Sequence, residues 1–408
     1  MVSNCNTYSC ALRSCAHPIN TVLLFLPHFR HLGLLYDWMT PRGRGFDSSL
    51  GYLAGGEDHY TQYQQRAQVF GCTGTDLYDT DSPAIGRNGT YGAFIYGQEV
   101  RRVIEAHDRT RPLFMYLAPQ VMHAPQEVPS RFKALYAQNH SDDYAIMNGM
   151  ASAADELLGN ATAALKAKGM WNNTLIIATS DNGGPAGRLS SGSSGNNWPL
   201  RGGKTNFFEG GVRVTAWVGG GFVPQRARGA SRTGYIHAAD WYPTLLRLAG
   251  VNASDGKSTV PEIDGVDQWD YVVGDTAAPP RSEIMLGTER VNGTWNGALI
   301  SGSYKLVLGW QSYSFWQSPN YPNASTDHKA EQPFNCGDTG CLFNIQQDPG
   351  EHHDLARAEP DTLARLQALF ARRNATAFQA PKIENDAVRC KAYVKANQGF
   401  LGPYMGSE

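Results

Sequence analysis

The stretch Ile176–Arg213, reading IIATSDNGGPAGRLSSGSSGNNWPLRGGKTNFFEGGVR, decides how the rest of the chain is read. It opens inside a strand, Thr174-Leu175-Ile176-Ile177-Ala178-Thr179, a short apolar and β-branched run of the kind buried in a sheet. That strand delivers Asp181 and Asn182 at its carboxyl end, where ligand sites of open α/β sheets lie. A carboxylate and an amide oxygen on a rigid strand end suit Ca2+ or Mg2+, which take oxygen ligands. Further on, Lys204 follows the Gly202-Gly203 pair, a flexible approach that brings an ammonium toward an anion beside such a metal. As bare chemistry the stretch says metal plus anionic group. Asp-Asn-Gly-Gly alone is also the composition of an ordinary turn after a strand.

Outward from this stretch, strand and helix signals alternate, as in an α/β fold. Pro112–Pro119 reads as a strand long enough for a central, buried place, and Thr21–Pro27 (TVLLFLP) as a buried strand far too short to span a bilayer. Phe94–His107 reads as a helix. Asp142–Lys168 reads as a longer one, with Met147, Met150, Ala154, Leu157, Ala161 and Leu165 on one face, Ser141 placed to cap it and Gly169 to end it. Val212–Val218 reads as a strand and Trp241–Leu248 as a helix. Ala277-Ala278-Pro279-Pro280 looks like a linker. Beyond it come short strands at Glu283–Leu286, Tyr304–Leu308 and Leu342–Ile345, then a helix near Asp361–Asn374. The expected organisation is an unplaced segment over 1–27, a large α/β domain over 28–275 and a small C-terminal domain over 281–408.

The 408 residues exceed a typical single domain, and the net charge of −2 comes from interspersed acids and bases. That excludes the charge signature of a nucleic-acid binder or a strongly charged membrane patch. N-x-S/T sequons stand at Asn88, Asn139, Asn160, Asn172, Asn252, Asn292, Asn323 and Asn374. Chance placement would give about two, so the chain reads as built for the secretory pathway, lysosomal or extracellular, although no standard signal peptide opens it. Asn160 falls inside the long helix and has to face solvent to carry a glycan. Cys336 and Cys341 can close a small disulfide loop, whereas Cys72 and Cys390 lack obvious mates, with a lost N-terminal partner the natural suspect.

Several segments together resemble the sulfatase family, and within it the arylsulfatase B-like branch. Gly195–Lys204 (GNNWPLRGGK) and Glu209–Arg213 (EGGVR) follow the Asp-Asn-Gly-Gly turn in the family's order. Arg44–Leu53, Gly56–Tyr60, Pro112–Pro129, His237–Gly250 and Cys341–Leu355 also agree in order and spacing, so the resemblance covers roughly residues 31 to 405. It implies an alkaline-phosphatase-like sulfatase fold, a large mixed sheet flanked by helices with a smaller C-terminal domain of antiparallel sheet plus helix. It implies hydrolysis of sulfate esters of carbohydrate or aryl substrates, with Ca2+ bound by Asp181 and Asn182. By the same resemblance His123 contacts the sulfate and protonates the leaving oxygen, Lys204 clamps a sulfate oxygen, and His31 orients the formylglycine. His59, His237, His352 and His353 read as packing or surface groups, although the Gly56–Tyr60 loop could place His59 at the substrate cleft.

The family's nucleophile segment, C-x-P-x-R or S-x-P-x-R, whose Cys or Ser becomes formylglycine, is absent from these 408 residues. Its early Asp-Asp pair is absent too, and its G-K-W-H-L-G run appears as His28-Phe29-Arg30-His31-Leu32-Gly33, without the lysine. The chain therefore resembles a sulfatase that begins about a third of the way through the catalytic domain, with formylglycine missing, the Ca2+ site incomplete and activity as written doubtful. One further expectation is that the sheet has lost its first strand and exposes apolar surface. The alternative is a non-catalytic sulfated-glycan binder that holds sulfate through His123, Lys204 and Arg201. A relative that cleaves phosphate or phosphonate esters fits Gly195–Arg213 less well.

Overall fold

The structure is a computed structural model that describes residues 21–25, 35–65, 71–137, 142–186, 195–253, 262–291, 293–319, 334–377 and 384–406, with 21–25 and 291 described in backbone only. Thr21–Phe25 form β1, which pairs in parallel with Leu113–Leu117 (β2) on one side and with Thr174–Thr179 (β3) on the other. Ala216–Gly219 (β4) lies antiparallel on β3, with Thr179 opposite Ala216, so the sheet order is β2-β1-β3-β4.

Two expectations change here. The sheet does not want for a first strand, because β1 fills the place between β2 and β3. And β2 is not central: among the described residues it pairs on one side only, and four of its five residues are half-buried.

Side-chain alternation along β3 builds the layers. Ile176 faces Gly92–Ala106 (α1) and Asp142–Ala167 (α2), packing among Val100, Ile104, Leu157, Ala161 and Leu165. Leu175 and Ile177 face the other way, onto Val223, Trp241 and the helix Trp241–Leu248 (α3). Along α2 the buried positions include Met150, Leu157, Ala161 and Leu165, and Asn160 is exposed, as a sequon there requires. Gly169 ends the turn beyond it at φ +72°. The capping role expected of Ser141 lies outside the described residues.

The strand expected over Val212–Val218 begins later. Glu209–Val212 is instead a helical turn, because Gly210 and Gly211 press their backbone against the preceding loop. Gly210 N donates to Arg201 O at 2.8 Å, and a Cβ on either glycine would run into backbone carbonyls.

Glu283–Val291 (β5), Thr294–Ser301 (β6), Tyr304–Leu308 (β7) and Cys341–Asn344 (β8) form an antiparallel sheet in that order. The helix Pro360–Asn374 (α4) lays Leu363, Leu366, Leu369 and Phe370 on it, and Cys336–Cys341 forms the small disulfide loop. The chain beyond α4 then leaves this sheet. Ala387–Ala396 (α5) and the following tail return to the first part of the molecule, with Leu401 N on Thr75 O at 2.8 Å and Met405 N on Leu35 O at 2.9 Å. Cys72 and Cys390 are each other's mates in a disulfide spanning 318 positions, which replaces the expected missing N-terminal partner. No helix among the described residues is long and apolar enough to cross a membrane.

Candidate active site at the carboxyl edge of the main sheet

Because β2 and β3 run parallel on either side of β1, the chain leaves both at the same edge of the sheet. The antiparallel β4 starts from that edge. The loop after β2 carries His123, the turn after β3 carries Asp181 and Asn182, and the segment leading into β4 carries Lys204. His31 follows β1 in sequence but lies outside the described residues.

The turn after β3 is tied down on both sides. Ser180 N donates to Thr215 O at 3.0 Å, and Gly183 N to Gly211 O at 2.9 Å. Asp181 is exposed, and its Oδ1 accepts from Asn182 N at 2.8 Å and from Asn182 Nδ2 at 2.5 Å. Two phenols feel the Asp181 charge. Burial, then Glu57, Asp76 and Asp181, hold the Tyr52 hydroxyl far above its usual range, and burial, then Asp181, push Tyr116 up to about 12. Both phenols stay protonated at any physiological pH, as hydrogen-bond donors.

Lys204 is half-buried, and its backbone N donates to Gly184 O at 3.0 Å, which ties it to the Asp181 turn. The small domain holds this loop from the other side. Asn206 Nδ2 donates to Ser312 O at 2.9 Å, Asn197 N to Gln317 Oε1 at 2.8 Å, and Phe207 N to Gln311 Oε1 at 3.0 Å. Arg201, offered as a sulfate ligand in the binder reading, is not placed for it. It is 5% exposed, with Nε on Ser314 O at 2.8 Å and its guanidinium 4.0 to 4.5 Å from the Phe208, Phe334 and Trp316 rings. Burial lowers its pKa to about 10, so it remains a cation, spent on packing the two domains together.

Beneath it, Lys305 Nζ is fully buried between Glu209 Oε1 at 3.0 Å and Glu351 Oε1 at 2.9 Å. Glu351 Oε2 also accepts from Glu209 N at 2.6 Å. The Glu of Glu209–Arg213 is thus a structural anchor to the small domain.

His123 sits half-buried with Nδ1 donating to Ala124 O at 2.7 Å, and its ring lies 3.5 Å from where a Cβ of Gly56 would stand. Around it the loops Gly56–Tyr60 and Gln120–Glu127 are laced together. Gln120 Nε2 donates to Glu57 O, His59 N donates to Glu127 Oε2 at 2.9 Å, and His59 Nε2 donates to His123 O at 3.0 Å.

Asp181 and Asn182 have the oxygen chemistry of a Ca2+ site, yet they are two donors where about six to eight are needed. Among the described residues no group of three or more His, Cys, Asp or Glu side chains is arranged to hold a metal. The Asn182 amide nitrogen, rather than its oxygen, faces Asp181. The described residues therefore do not complete the site.

The geometry adds Asn197, Gln120, Glu57 and a defined place for His59. Asn197 stood inside Gly195–Lys204, so its motif was visible although its bonds were not. Nothing in sequence announces that Gln120 reaches a carbonyl 63 positions away.

An α/β sheet flanked by helices, with the Asp181-Asn182 turn and the loops that carry His123 and Lys204 at its carboxyl edge, is an alkaline-phosphatase-like fold. Residues 31–251 match the model of the sulfatase family, and the chain belongs to that family. It is similar to arylsulfatase J of Mus musculus, 32% identical over 398 residues that cover 93% of this chain and 64% of that protein. Arylsulfatase A of Homo sapiens is 28% identical over 290 residues, covering 67% and 52%. The chain thus spans between about half and two thirds of the length of these relatives. Ps i-CgsB, solved in complex with k-i-k-neocarrahexaose, shares the fold at a TM-score of 0.67 and 24% identity, covering 93% of this chain and 76% of that one.

Proposed function

We propose that this edge binds the sulfate group of a sulfate ester, and that the chain is a sulfuric ester hydrolase of the arylsulfatase B-like type acting on sulfated carbohydrate or aryl sulfate. The observation that carries this is the hydrogen bond from Lys204 N to Gly184 O, which ties the Lys204 main chain to the Asp181-Asn182 turn in a chain of the sulfatase family. Lys204 would clamp a sulfate oxygen, and His123 would contact the sulfate and protonate the leaving oxygen. Asp181 and Asn182 would contribute two oxygen ligands to a Ca2+ site that the described residues do not complete. His31 would help orient a formylglycine.

The hydrolase reading applies to the type: these 408 residues contain no C-x-P-x-R or S-x-P-x-R segment, so by themselves they would hold a sulfate ester without turning it over. That absence also favours a second reading, a sulfated-glycan binder, now resting on His123 and Lys204 without Arg201. The exposed sequons Asn88, Asn160, Asn172 and Asn252 support passage through the secretory pathway, to a lysosome or the cell exterior.

Competition between aryl sulfate and aryl phosphate for the purified chain tests the reading. Preference for sulfate, lost in Lys204→Ala and His123→Ala, supports it. Equal binding of both esters, or binding that survives both substitutions, contradicts it.

A further inference from the structure

His59 is completely buried, its ring stacked on Tyr91 at 5.6 Å between centroids and 20° between planes. Its backbone N is held by Glu127, and its Nε2 lies 3.0 Å from the carbonyl oxygen of His123. A carbonyl only accepts, so Nε2 carries the hydrogen, and neutral His59 is the Nε2–H tautomer. Its Nδ1 is buried without a hydrogen-bond partner.

Each link in this arrangement ends on the His123 loop. Gln120 fixes the Glu57 carbonyl, Glu127 fixes the start of His59, and the His59 ring fixes the His123 carbonyl. With Nδ1 of His123 donating to Ala124 O, a contact from Nε2 to a sulfate oxygen would require the charged ring, in which Nε2–H is a donor.

We propose that His59 is a positioning residue, which holds the His123 main chain so that the His123 ring presents Nε2 to the sulfate group. This rests on the reading of His123 as a sulfate contact. The structural half, that a neutral His59 donates to His123 O, stands by itself. Burial lowers the His59 pKa against the opposing pull of the His123 carbonyl, Asp58 and Pro125, which keeps the ring neutral.

Nitrogen-15 NMR of the histidine rings in the full chain reads the structural half directly. At pH 7 His59 should show protonated Nε2 and bare Nδ1. An Nδ1–H tautomer, or a charged ring, overturns the proposal whatever the variants do.

Two variants read the functional half, with sodium sulfate as probe against sodium chloride. His59→Phe keeps the stack on Tyr91 and removes the donor, and His59→Gln returns an N–H at similar reach. His59→Phe should speed amide exchange across 121–126 and weaken sulfate binding about tenfold, the order of one lost hydrogen bond, and His59→Gln should recover most of both. A folded His59→Phe chain with native exchange and native sulfate affinity overturns the proposal. If wild type and His123→Ala bind sulfate equally, the sulfate-contact reading fails instead, and the exchange and tautomer results still decide whether His59 holds the loop.

Discussion

Asn197 and Gly184 are joined twice: the side-chain oxygen of Asn197 accepts from Gly184 N at 2.9 Å, and its amide nitrogen donates to Gly184 O at 2.7 Å. The same nitrogen donates to Gly202 O at 3.0 Å. One side chain thus braces the Asp181-Asn182 turn against the loop that carries Lys204. Asn197→Ala removes all three bonds, leaving Gly184 N and Gly202 O without this partner while Gly184 O keeps its bond from Lys204 N. It should lower unfolding free energy by about 2 kcal/mol and loosen sulfate binding with it. Urea unfolding checks the first part, and an unchanged midpoint would count against the brace.

Lys305 is enclosed with Glu209 and Glu351 at the join between the two domains. Removing one member of a buried charged group leaves the others uncompensated, at a cost of about 3–5 kcal/mol. Lys305→Met should destabilise the chain by that order in denaturant unfolding. Adding Glu209→Gln and Glu351→Gln should restore much of it. If the single substitution is as stable as wild type, the charges are not what joins the domains.

The stability that buried Glu57 and Asp76 contribute should fall as pH rises from about 4 toward neutrality. Burial raises the Glu57 carboxyl well above its usual range, with the nearby Asp76 charge adding to it, and burial pushes Asp76 up to about 6. Folded protein therefore holds protons that the unfolded chain has already released. Their stabilising effect is complete below the unfolded pKa values and is lost as pH climbs through the folded ones. Glu57→Gln mimics the neutral acid, so it should flatten this profile and be at least as stable as wild type at pH 7. Thermal melts of both across pH 4–8 test it, and parallel profiles would refute the assignment.

Much of this was legible in sequence because local patterns matched the final packing. The periodicity of Asp142–Lys168 foretold the buried face of α2, and the apolar run before Asp181 foretold β3. What failed depended on partners distant in the chain. Thr21–Phe25 reads as a strand, but its place between β2 and β3 is a matter of pairing, which residue type does not encode. Cys72 and Cys390 were unreadable as a pair because only the return of α5 brings them together. Arg201 misled because it stands in the motif read as an anion site, while its own surroundings are Phe208, Phe334 and Trp316. His59 and Gln120 look like ordinary polar residues until the two loops meet.

Binding without turnover can be measured by titrating p-nitrocatechol sulfate into the 408-residue chain, co-expressed with a formylglycine-generating enzyme, while recording binding heat and p-nitrocatechol release together. Binding should saturate and be lost in Lys204→Ala, with no release above that of Asp181→Ala, since electrostatic groups alone cannot replace a covalent nucleophile. Robust, Asp181-dependent release, or binding indifferent to Lys204, would contradict this expectation.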